Sequence, residues 1–383
     1  MVEIKRVRYR KDRKYFIKFE NKLYSECEFF IPRIYKEESK LFSSKHNPYL
    51  FSNESTAYLA YQEGKIVGRV LCFFNRIEKE NENIIRFSHL DFINDTEVSF
   101  ALFDMIDNWA RFLKADKIIG DMSFSELGNI GILNSGHDKF ATFQHRCNYP
   151  YYAEHLKSYG YSQSKKLNEY QLILSVDSYK NDLLIENKYK FVDGDKLFKI
   201  KNYGRKIFDL LYENSISGYP TVIENKVYEQ FFKNIDKLYQ SDDLMVIIND
   251  NDDVVGAMLV TTNTSLALQT TGGKVLASKN YNVDKLIDKF LDITMLAINR
   301  NDADVIEKML AEKLVSIMTA KNIRLLNTNL WLNNYKDSVF AECFNINWHR
   351  DRVVFNKKLG KLTIKRSTSD MATPNNKGNS SII

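Results

Sequence analysis

Residues 290–355 read FLDITMLAINRNDADVIEKMLAEKLVSIMTAKNIRLLNTNLWLNNYKDSVFAECFNINWHRDRVVF. This stretch predicts an apolar strand, a long amphipathic helix, a strand, a short helix and a closing strand. The long helix, predicted over Asp304–Lys321, places Ile306, Leu310 and Leu314 on one face. The same order of elements recurs between Arg86 and Leu174. The chain therefore carries one structural pattern twice.

The repeat extends upstream of both stretches. Residues Tyr58–Asn75 and Met245–Asn263 each read as an apolar strand, a polar turn and a second strand, which Val-Gly opens at Gly68 and at Gly256. A spacing of roughly 190 residues is too long for a solenoid and indicates two domains of one fold. We predict an amino-terminal domain over residues 1–176, a linker over 177–195, a carboxy-terminal domain over 196–360 and a disordered tail over 361–383.

The order of elements predicts the same architecture in both domains. Each is expected to form a mixed, mainly antiparallel sheet flanked by helices, an α/β (α+β) fold. The segment Ser123–Asn148, which contains three glycines, is predicted as a loop, and Gly272-Gly273-Lys274 as a hairpin turn. In the carboxy-terminal domain we also predict a helix over Lys226–Tyr239 and a strand over Arg324–Leu330.

The amino-acid composition argues against a membrane-spanning, secreted or metal-binding protein. The chain has 383 residues, 44% of them hydrophobic, and no apolar run near the ~20 residues that span a bilayer. The basic amino terminus is not followed by an apolar signal segment, so we expect a cytoplasmic protein with no membrane contact. The four cysteines lie far apart without a Cys-x-x-Cys pair, which indicates reduced thiols and no metal site.

The net charge of +6 is modest for a chain of this size. It is compatible with an anionic ligand but requires none. No nucleic-acid-binding motif accompanies the basic amino terminus, so a nucleic-acid partner is not expected.

Five short segments carry a resemblance to a known family, and their order extends it over nearly the whole chain. They are Phe16-Ile17-Lys18-Phe19, Phe30-Ile31-Pro32, Asn47-Pro48, the run from Ala60 to Arg69 that contains Gly64-Lys65-Ile66-Val67-Gly68, and Asn148-Tyr149-Pro150-Tyr151-Tyr152. In this order and spacing the chain resembles a bacterial family of tandem GNAT (N-acetyltransferase-like) proteins of poorly defined function.

The resemblance implies an acyltransferase site. In GNAT enzymes the strand before the long helix splays from its neighbour and binds the pantetheine arm of acyl-coenzyme A, while the helix N-terminus takes the pyrophosphate. The corresponding donor-binding residues here are Leu296, Ala297, Ile298, Arg300 and Asn334. Tyr335 would protonate the leaving thiolate, Asp292 would act as base, and the acceptor would be a small-molecule amine.

Both helix starts depart from the GNAT pattern. Neither residues 94–99 nor residues 299–304 contain a glycine, and both bring carboxylates to the helix mouth. Asn94 with Glu97, and Asp304 with Glu307, have the spacing of a capping box, which would occupy the amides that a phosphate uses. An acyl carrier protein, whose phosphopantetheine arm brings no nucleotide, is therefore a possible donor beside acyl-coenzyme A.

The named residues also have structural interpretations. Tyr335 is equally compatible with a tyrosine that packs on the sheet, and Asp292 with a polar side chain on an open edge strand. Asp91, near His89, is expected to parallel Asp292, and Tyr151 and Tyr152 occupy the equivalent helix start. The alternatives to an acyltransferase are a non-catalytic GNAT-fold protein that binds a ligand or partner, and an aminoacyl-transfer enzyme built from paired domains.

Overall fold

The computed structural model describes residues 1–78, 83–125, 127–140, 144–175, 188–214, 227, 229, 231–232, 241–263, 265–273, 290–328, 330 and 338–360. We call residues 1–175 the first half and residues 188–360 the second half. Outside the described residues lie Asn334, Tyr335, Lys274, most of the linker, most of the predicted helix Lys226–Tyr239 and the predicted tail. The domain boundaries stay a prediction.

The first half contains seven strands and four α-helices among its described residues. The strands are β1 Val2–Arg6, β2 Asn53–Gln62, β3 Lys65–Asn75, β4 Ile84–Phe92, β5 Lys117–Gly120, β6 Ile132–Leu133 and β7 Ser162–Leu174. The helices are α1 Arg10–Leu23, α2 Tyr35–Glu38, α3 Thr96–Phe112 and α4 Tyr151–Ser158.

The described part of the second half repeats the pattern. Its strands are β8 Tyr189–Phe191, β9 Ser241–Asn249, β10 Val254–Thr262, β11 Phe290–Ile298, β12 Leu325–Asn327 and β13 Phe344–Lys358. Its helices are α5 Lys196–Glu213, α6 Ser265–Thr270, α7 Ala303–Ala320 and α8 Phe340–Cys343.

All described strands belong to one 13-stranded sheet. The order is β1-β2-β3-β4-β5-β13-β7-β12-β11-β10-β9-β8, with β6 paired to β13. Only β4 with β5 and β11 with β12 run parallel among the described pairs, which confirms the predicted mainly antiparallel α/β architecture. The long helices of the repeat, α3 and α7, bury the apolar faces that their periodicity predicts, including Leu102 and Leu310 at 0% exposure.

The two closing strands are exchanged between the halves. Strand β13 pairs with β5 of the first half, and β7 pairs with β12 of the second half. The two exchanged strands also pair with each other, from Phe344↔Leu174 to Asn356↔Ser162. Each half therefore completes its sheet with a strand from the other, and the sheet is continuous across the molecule.

Several local predictions need correction. The segment Ser123–Asn148 is not all loop, because β6 lies within it and pairs Leu133 with Arg352. Gly272 and Gly273 end α6 rather than form a hairpin turn, with φ values of 61° and 72° and an N–H of Gly273 bonded to the C=O of Leu268. The predicted strand Arg324–Leu330 is limited to Leu325–Asn327.

Among the residues that the structure describes, no helix is both long and apolar enough to cross a membrane.

Candidate functional site

In both halves the strand before the long helix separates from its parallel neighbour. Strand β4 pairs with β5 only from Ile84 to Arg86, and β11 pairs with β12 only from Phe290 to Asp292. Both strands then continue for several residues beside β3 and β10. Each half therefore contains a gap between two splayed parallel strands.

A β-bulge occurs in each splayed strand. In β4 the register with β3 shifts between the pairs Arg69↔Asp91 and Leu71↔Ser88, and His89 between them has a φ of 52°. In β11 the register with β10 shifts around Thr294. A bulge bends its strand and redirects the side chains and backbone groups beyond it.

The registers identify equivalent positions in the two halves. Gly68 pairs with Phe92, and Gly256 pairs with Ile298. Phe92 is therefore equivalent to Ile298, and Asp91 to Ala297. The predicted correspondence of Asp91 with Asp292 is wrong. Asp292 is the last residue of β11 that pairs with β12, and its equivalent is therefore Arg86, the last residue of β4 that pairs with β5.

Phe92 and Ile298 direct their backbone groups into the two gaps. The next residues, Ile93 and Asn299, donate their N–H groups to Val67 and Val255 on the opposite side of the strand. Consecutive residues of an extended strand direct their backbone groups to opposite sides. The N–H and C=O of Phe92 and of Ile298 are therefore available to whatever fills each gap.

Two tyrosines of α4 fill the gap of the first half. The N–H of Phe92 donates to the hydroxyl of Tyr152 at 3.1 Å, and the hydroxyl of Tyr151 donates to the C=O of Phe92 at 2.5 Å. The rings of Phe92 and Tyr152 stack with centroids 4.3 Å apart. A further α4 side chain, His155, contacts Asn94 at 3.1 Å and Ser99 at 2.7 Å. The groove of the first half is thus closed by its own side chains.

The helix caps differ from the predicted capping boxes. In α3 the N-cap is Asp95, whose side chain accepts from the N–H of Glu97 at 2.8 Å, while Asn94 contacts His155 instead. In α7 Asp304 lies inside the helix. The carboxylate of Glu307 accepts from the hydroxyl of Ser338 and the N–H of Val339, so it does not reach back to the helix start. Both predicted capping boxes are wrong.

The corresponding groove of the second half has no such filling among the described residues. Leu296 and Ile298 are half-buried, and no described side chain bonds their backbone groups. The N-cap of α7, Asp302, makes no side-chain cap, and its carboxylate lies 3.6 Å from Lys188 Nζ. Arg300 is exposed in the short 3₁₀ turn before the helix.

The predicted donor-binding residues are distributed along this groove. Leu296 and Ile298 direct backbone groups into it, whereas the backbone of Ala297 faces β10. Arg300 lies at the helix end. Asn334 and Tyr335 lie outside the described residues, so their positions stay predictions.

Asp292 is buried in the interior of the sheet rather than on an edge strand, and only 7% of it is exposed. Both of its carboxylate oxygens lie 2.9 Å from Asn263 Nδ2, and Asn327 Nδ2 donates to Oδ1 at 2.7 Å. Burial raises the pKa of Asp292 to about 6, against the opposing effect of the two amide hydrogen bonds. The same two asparagines line a cavity of about 170 Å³. A carboxyl group with this pKa is ionised at neutral pH and can accept a proton.

A buried ion cluster in the first half was not predicted from the sequence. Arg69, at 0% exposure, donates to Asp91 and to Glu20, both at 2.7 Å. Arg146 donates to the same Glu20 at 2.5 Å and to Glu38 at 3.0 Å. We call Glu20, Glu38, Arg69, Asp91 and Arg146, with the adjacent Arg33, the ion cluster.

The ionisation of the cluster follows from its internal pairing. Burial by itself would raise the pKa of Glu20, but the guanidinium groups of Arg146, Arg69 and Arg33 lower it to about 2. Burial lowers the pKa of the adjacent His89 to about 4, so this imidazole is neutral at physiological pH. The sequence singled out Arg69 within a segment of the family resemblance and Asp91 as a counterpart of Asp292, but nothing in it indicated that the two pair with each other.

Among the described residues, no group of three or more His, Cys, Asp or Glu side chains is arranged to hold a metal ion.

Comparison with known proteins gives one curated sequence relative and several structural neighbours. No model of a known protein family matches the chain. Protein YghO of Escherichia coli is 30% identical over 152 residues, a match that covers 39% of this chain and 39% of that protein. The match therefore spans well under half of the length of that relative.

The solved structures match over nearly the full chain. A tandem GNAT protein from the clavulanic acid biosynthesis pathway is 13% identical, with 94% of this chain and 99% of that chain covered and a TM-score of 0.54. A GCN5-related glucosamine N-acetyltransferase region of a fungal β-N-acetylglucosaminidase is 13% identical, with 93% and 38% covered and a TM-score of 0.56. A probable N-acyltransferase from Enterococcus faecalis is 10% identical, with 94% and 73% covered and a TM-score of 0.53. At these identities the likeness is one of fold.

Proposed function

The chain has the tandem GNAT fold, and from this premise we propose that it is an N-acyltransferase whose transfer site lies in the second half. It moves an acyl group from a thioester to the amine of a small molecule. One observation carries the proposal. The backbone groups of Ile298 bond no described side chain, and at the mouth of α7 the Asn299 side chain accepts from the N–H of Asn301 alone among the described contacts, while Tyr151 and Tyr152 occupy the equivalent gap beside Phe92.

The donor in this proposal is acyl-coenzyme A. Its pantetheine amides would bond the backbone of Leu296 and Ile298, which have no described partner on the gap side. The pyrophosphate would lie at the first turn of α7, where backbone N–H groups and the helix dipole favour an anion. Arg300 would add a positive charge at this end of the groove.

A phosphopantetheine-linked acyl carrier protein is a second candidate donor. The loop before α7 lacks glycine, and the carboxylates of Asp302 and Asp304 flank the place of the pyrophosphate. Like charges at that place disfavour the two negative charges of a pyrophosphate more than the single phosphate through which the pantetheine arm of a carrier protein reaches the groove.

The chemistry requires a base and an acid. The acceptor nitrogen attacks the thioester carbonyl, the new C–N bond forms, the C–S bond breaks, and the thiolate leaves. We assign to Asp292 the role of accepting the amine proton, directly or through water, since its pKa of about 6 keeps it ionised at neutral pH. Tyr335, with Asn334 beside it, keeps the proposed role of protonating the thiolate.

The acceptor and the compartment are also proposals. Two structural neighbours are described as a probable N-acyltransferase and as a glucosamine N-acetyltransferase region, which supports a small-molecule amine as acceptor. The described cysteines are free thiols, which supports a cytoplasmic location. The rival hypothesis of a non-catalytic ligand-binding protein makes opposite predictions in the experiment below.

The test is titration of the full chain with acetyl-, butyryl- and palmitoyl-coenzyme A, with free coenzyme A as reference, followed by hydrogen exchange of the complex. We expect micromolar binding and slowed exchange across residues 293–305, because the donor would bond the backbone of Ile298 and the first turn of α7. The equivalent segment 88–99 should not change, since its groove is already filled.

The matched variants are Arg300→Ala and Arg76→Ala, which remove the same charge from exposed positions in the second and first half. Only Arg300→Ala should weaken binding, by roughly three- to tenfold. Absence of binding to every coenzyme A species would eliminate that donor and leave the carrier protein or the non-catalytic binder. Protection of residues 88–99 instead would move the site to the first half.

A further inference from the structure

The outer face of α1 is positively charged along its whole length. We call its exposed cations the basic ridge; they are Arg10, Lys11, Arg13, Lys14, Lys18 and Lys22. Four of them recur at every fourth position from Arg10 to Lys22. Residues with this spacing follow one side of a helix at intervals of about 6 Å along its axis. The ridge is therefore a continuous line of charge about 18 Å long.

No exposed carboxylate lies within this helix. Of its two acidic residues, Asp12 accepts two backbone N–H groups at the helix start, and Glu20 is buried in the ion cluster. The exposed carboxylates of the flanking chain, Glu3, Glu26 and Glu28, lie before and after the helix. Among the described residues, no ion pair involves a cation of the ridge. Like charges four residues apart destabilise a helix, so the ridge does not serve the stability of α1.

The equivalent helix of the second half neutralises its exposed cations. Helix α5 precedes the hairpin of β9 and β10, as α1 precedes the hairpin of β2 and β3. Arg205 of α5 pairs with Asp209 one turn later at 2.7 Å, and Lys206 pairs with Asp252 of the hairpin turn at 2.9 Å. The fold by itself therefore does not require a basic face without ion pairs on this helix.

The shape and composition of the ridge favour a lipid surface over a nucleic acid. Proteins that bind single-stranded nucleic acids use a basic groove, whereas the ridge is the convex side of a helix. No ridge residue lines the cavity of about 340 Å³ beside the ion cluster or the cavity of about 170 Å³ beside Asn263 and Asn327. Four of the six cations are lysines. Lysine is a hydrated point charge that suits mobile headgroups, whereas arginine is preferred where a fixed carboxylate or phosphate is bound by two hydrogen bonds.

Exposed tyrosines accompany the cations. Tyr9, the N-cap of α1, is 73% exposed, and Tyr15 is 39% exposed, with Lys11 Nζ 5.7 Å from its ring centroid. Tyrosine is enriched at the level of lipid headgroups because its ring is apolar and its hydroxyl is polar. The apolar face of α1 is buried, with Phe16 packed on β2 and β3. Contact with a bilayer would therefore be made at the surface, without insertion of the helix.

We propose that the basic ridge attaches the protein reversibly to an anionic lipid surface. Each cation close to such a surface strengthens binding about fivefold, so six cations give measurable adsorption. The sequence predicts no membrane contact because it contains no apolar segment that could enter a bilayer, but adsorption through charge needs none. The inference does not depend on the proposed acyl transfer.

The test is co-sedimentation of the full chain with lipid vesicles. We expect binding to vesicles that contain phosphatidylglycerol and none to vesicles of phosphatidylcholine alone. Binding should weaken as the salt concentration rises, because mobile ions screen exposed charges. The double variant Lys14→Gln/Lys18→Gln should weaken binding roughly 20-fold, since it removes two cations from the middle of the ridge. Its unfolding midpoint should be unchanged or higher, because repulsion within α1 falls.

The matched control is Arg205→Gln/Lys206→Gln, which changes the net charge equally but on α5. This variant should bind the vesicles within about twofold of the unaltered chain. Equal weakening by the two double variants would mean that net charge alone drives adsorption, and it would overturn the assignment to α1. Binding to phosphatidylcholine vesicles that salt does not weaken would overturn the electrostatic contact.

Titration with a single-stranded RNA oligonucleotide at the same salt concentration separates the two kinds of polyanion. Weaker binding to RNA than to the anionic vesicles supports the lipid surface. Tighter binding to RNA that Lys14→Gln/Lys18→Gln abolishes would assign the ridge to a nucleic acid and refute the proposal.

Discussion

The two halves build the same gap, and among the described residues only the first half fills it with side chains. In the first half the backbone of Phe92 is bonded by Tyr151 and Tyr152, and the adjacent Asp91 forms an ion pair with Arg69. In the second half Ile298 takes the position of Phe92. Ala297 takes the position of Asp91 and pairs with Ala257, which takes the position of Arg69, so no ion pair forms there. A buried backbone polar group without a partner costs free energy. A half that fills its gap with side chains therefore gains stability, and the gap that no described side chain fills is the one to which we assign the donor.

The largest expected effect is on kcat/KM, and it differs between substitutions in the two halves. Asp292→Asn should lower kcat/KM by at least about 100-fold, because the proposed base can no longer accept a proton. Asp91→Asn should leave kcat/KM within about threefold, since Asp91 pairs with Arg69 away from the proposed site. The measurement is thiol release from acetyl-coenzyme A with a panel of small-molecule amines as acceptors, at a temperature at which both variants are folded. A larger loss in Asp91→Asn would assign catalysis to the first half.

The next effect concerns the ion cluster, which the second half lacks at the equivalent position. Glu20→Gln should lower the free energy of unfolding by about 3–5 kcal/mol, because Arg69 and Arg146 lose the carboxylate that they share in the interior. Urea unfolding measures the change. Asp209→Asn, which removes the partner of Arg205 at an exposed position, should change it by less than about 0.5 kcal/mol. Similar values for the two variants would contradict the structural role of the cluster.

Removing a hydroxyl group from a tyrosine of α4 should lower the free energy of unfolding less than Glu20→Gln does. Tyr151→Phe and Tyr152→Phe should each lower the free energy of unfolding by about 1–3 kcal/mol, because each leaves one backbone group of Phe92 without its partner. Tyr159→Phe, next to α4, loses only an exposed hydrogen bond to Asp104 and should cost less. In the double variant acetyl-coenzyme A should still bind at a single site, since Asp95 continues to cap α3. A second binding event would mean that the two hydroxyls alone close the first groove.

The smallest effect is the pH dependence near neutrality. The pKa of Asp292 is raised to about 6 by burial, so its carboxylate form, the one that accepts a proton, is lost as the pH falls through that value. We expect kcat/KM to be nearly constant above about pH 7, to be about half-maximal at pH 6 and to fall about tenfold per unit below it. Asp292→Asn should lose this acidic limb, and an unchanged limb in the variant would assign it to another group.

Sequence patterns predicted the secondary-structure elements and their buried faces well, but they did not predict which distant side chains bond each other. The paired hairpins and the faces of α3 and α7 were predictable because periodicity reports which side of an element is buried. The cap of α3 was misplaced by one residue, because Asn94 and Asp95 are both good N-caps. The contact of Asn94 with His155, 61 residues away, leaves the cap to Asp95.

The sequence by itself determined the repeat, the fold of each half and the strand-then-helix order that carries the proposed site. Only the tertiary structure decided that the closing strands β7 and β13 cross between halves, and that Tyr151 and Tyr152 close one gap. The physical reason is the sequence separation between the residues that determine each feature. Hydrophobic periodicity is a property of neighbouring residues, whereas the occupation of a gap depends on side chains brought from distant segments by the order of the strands.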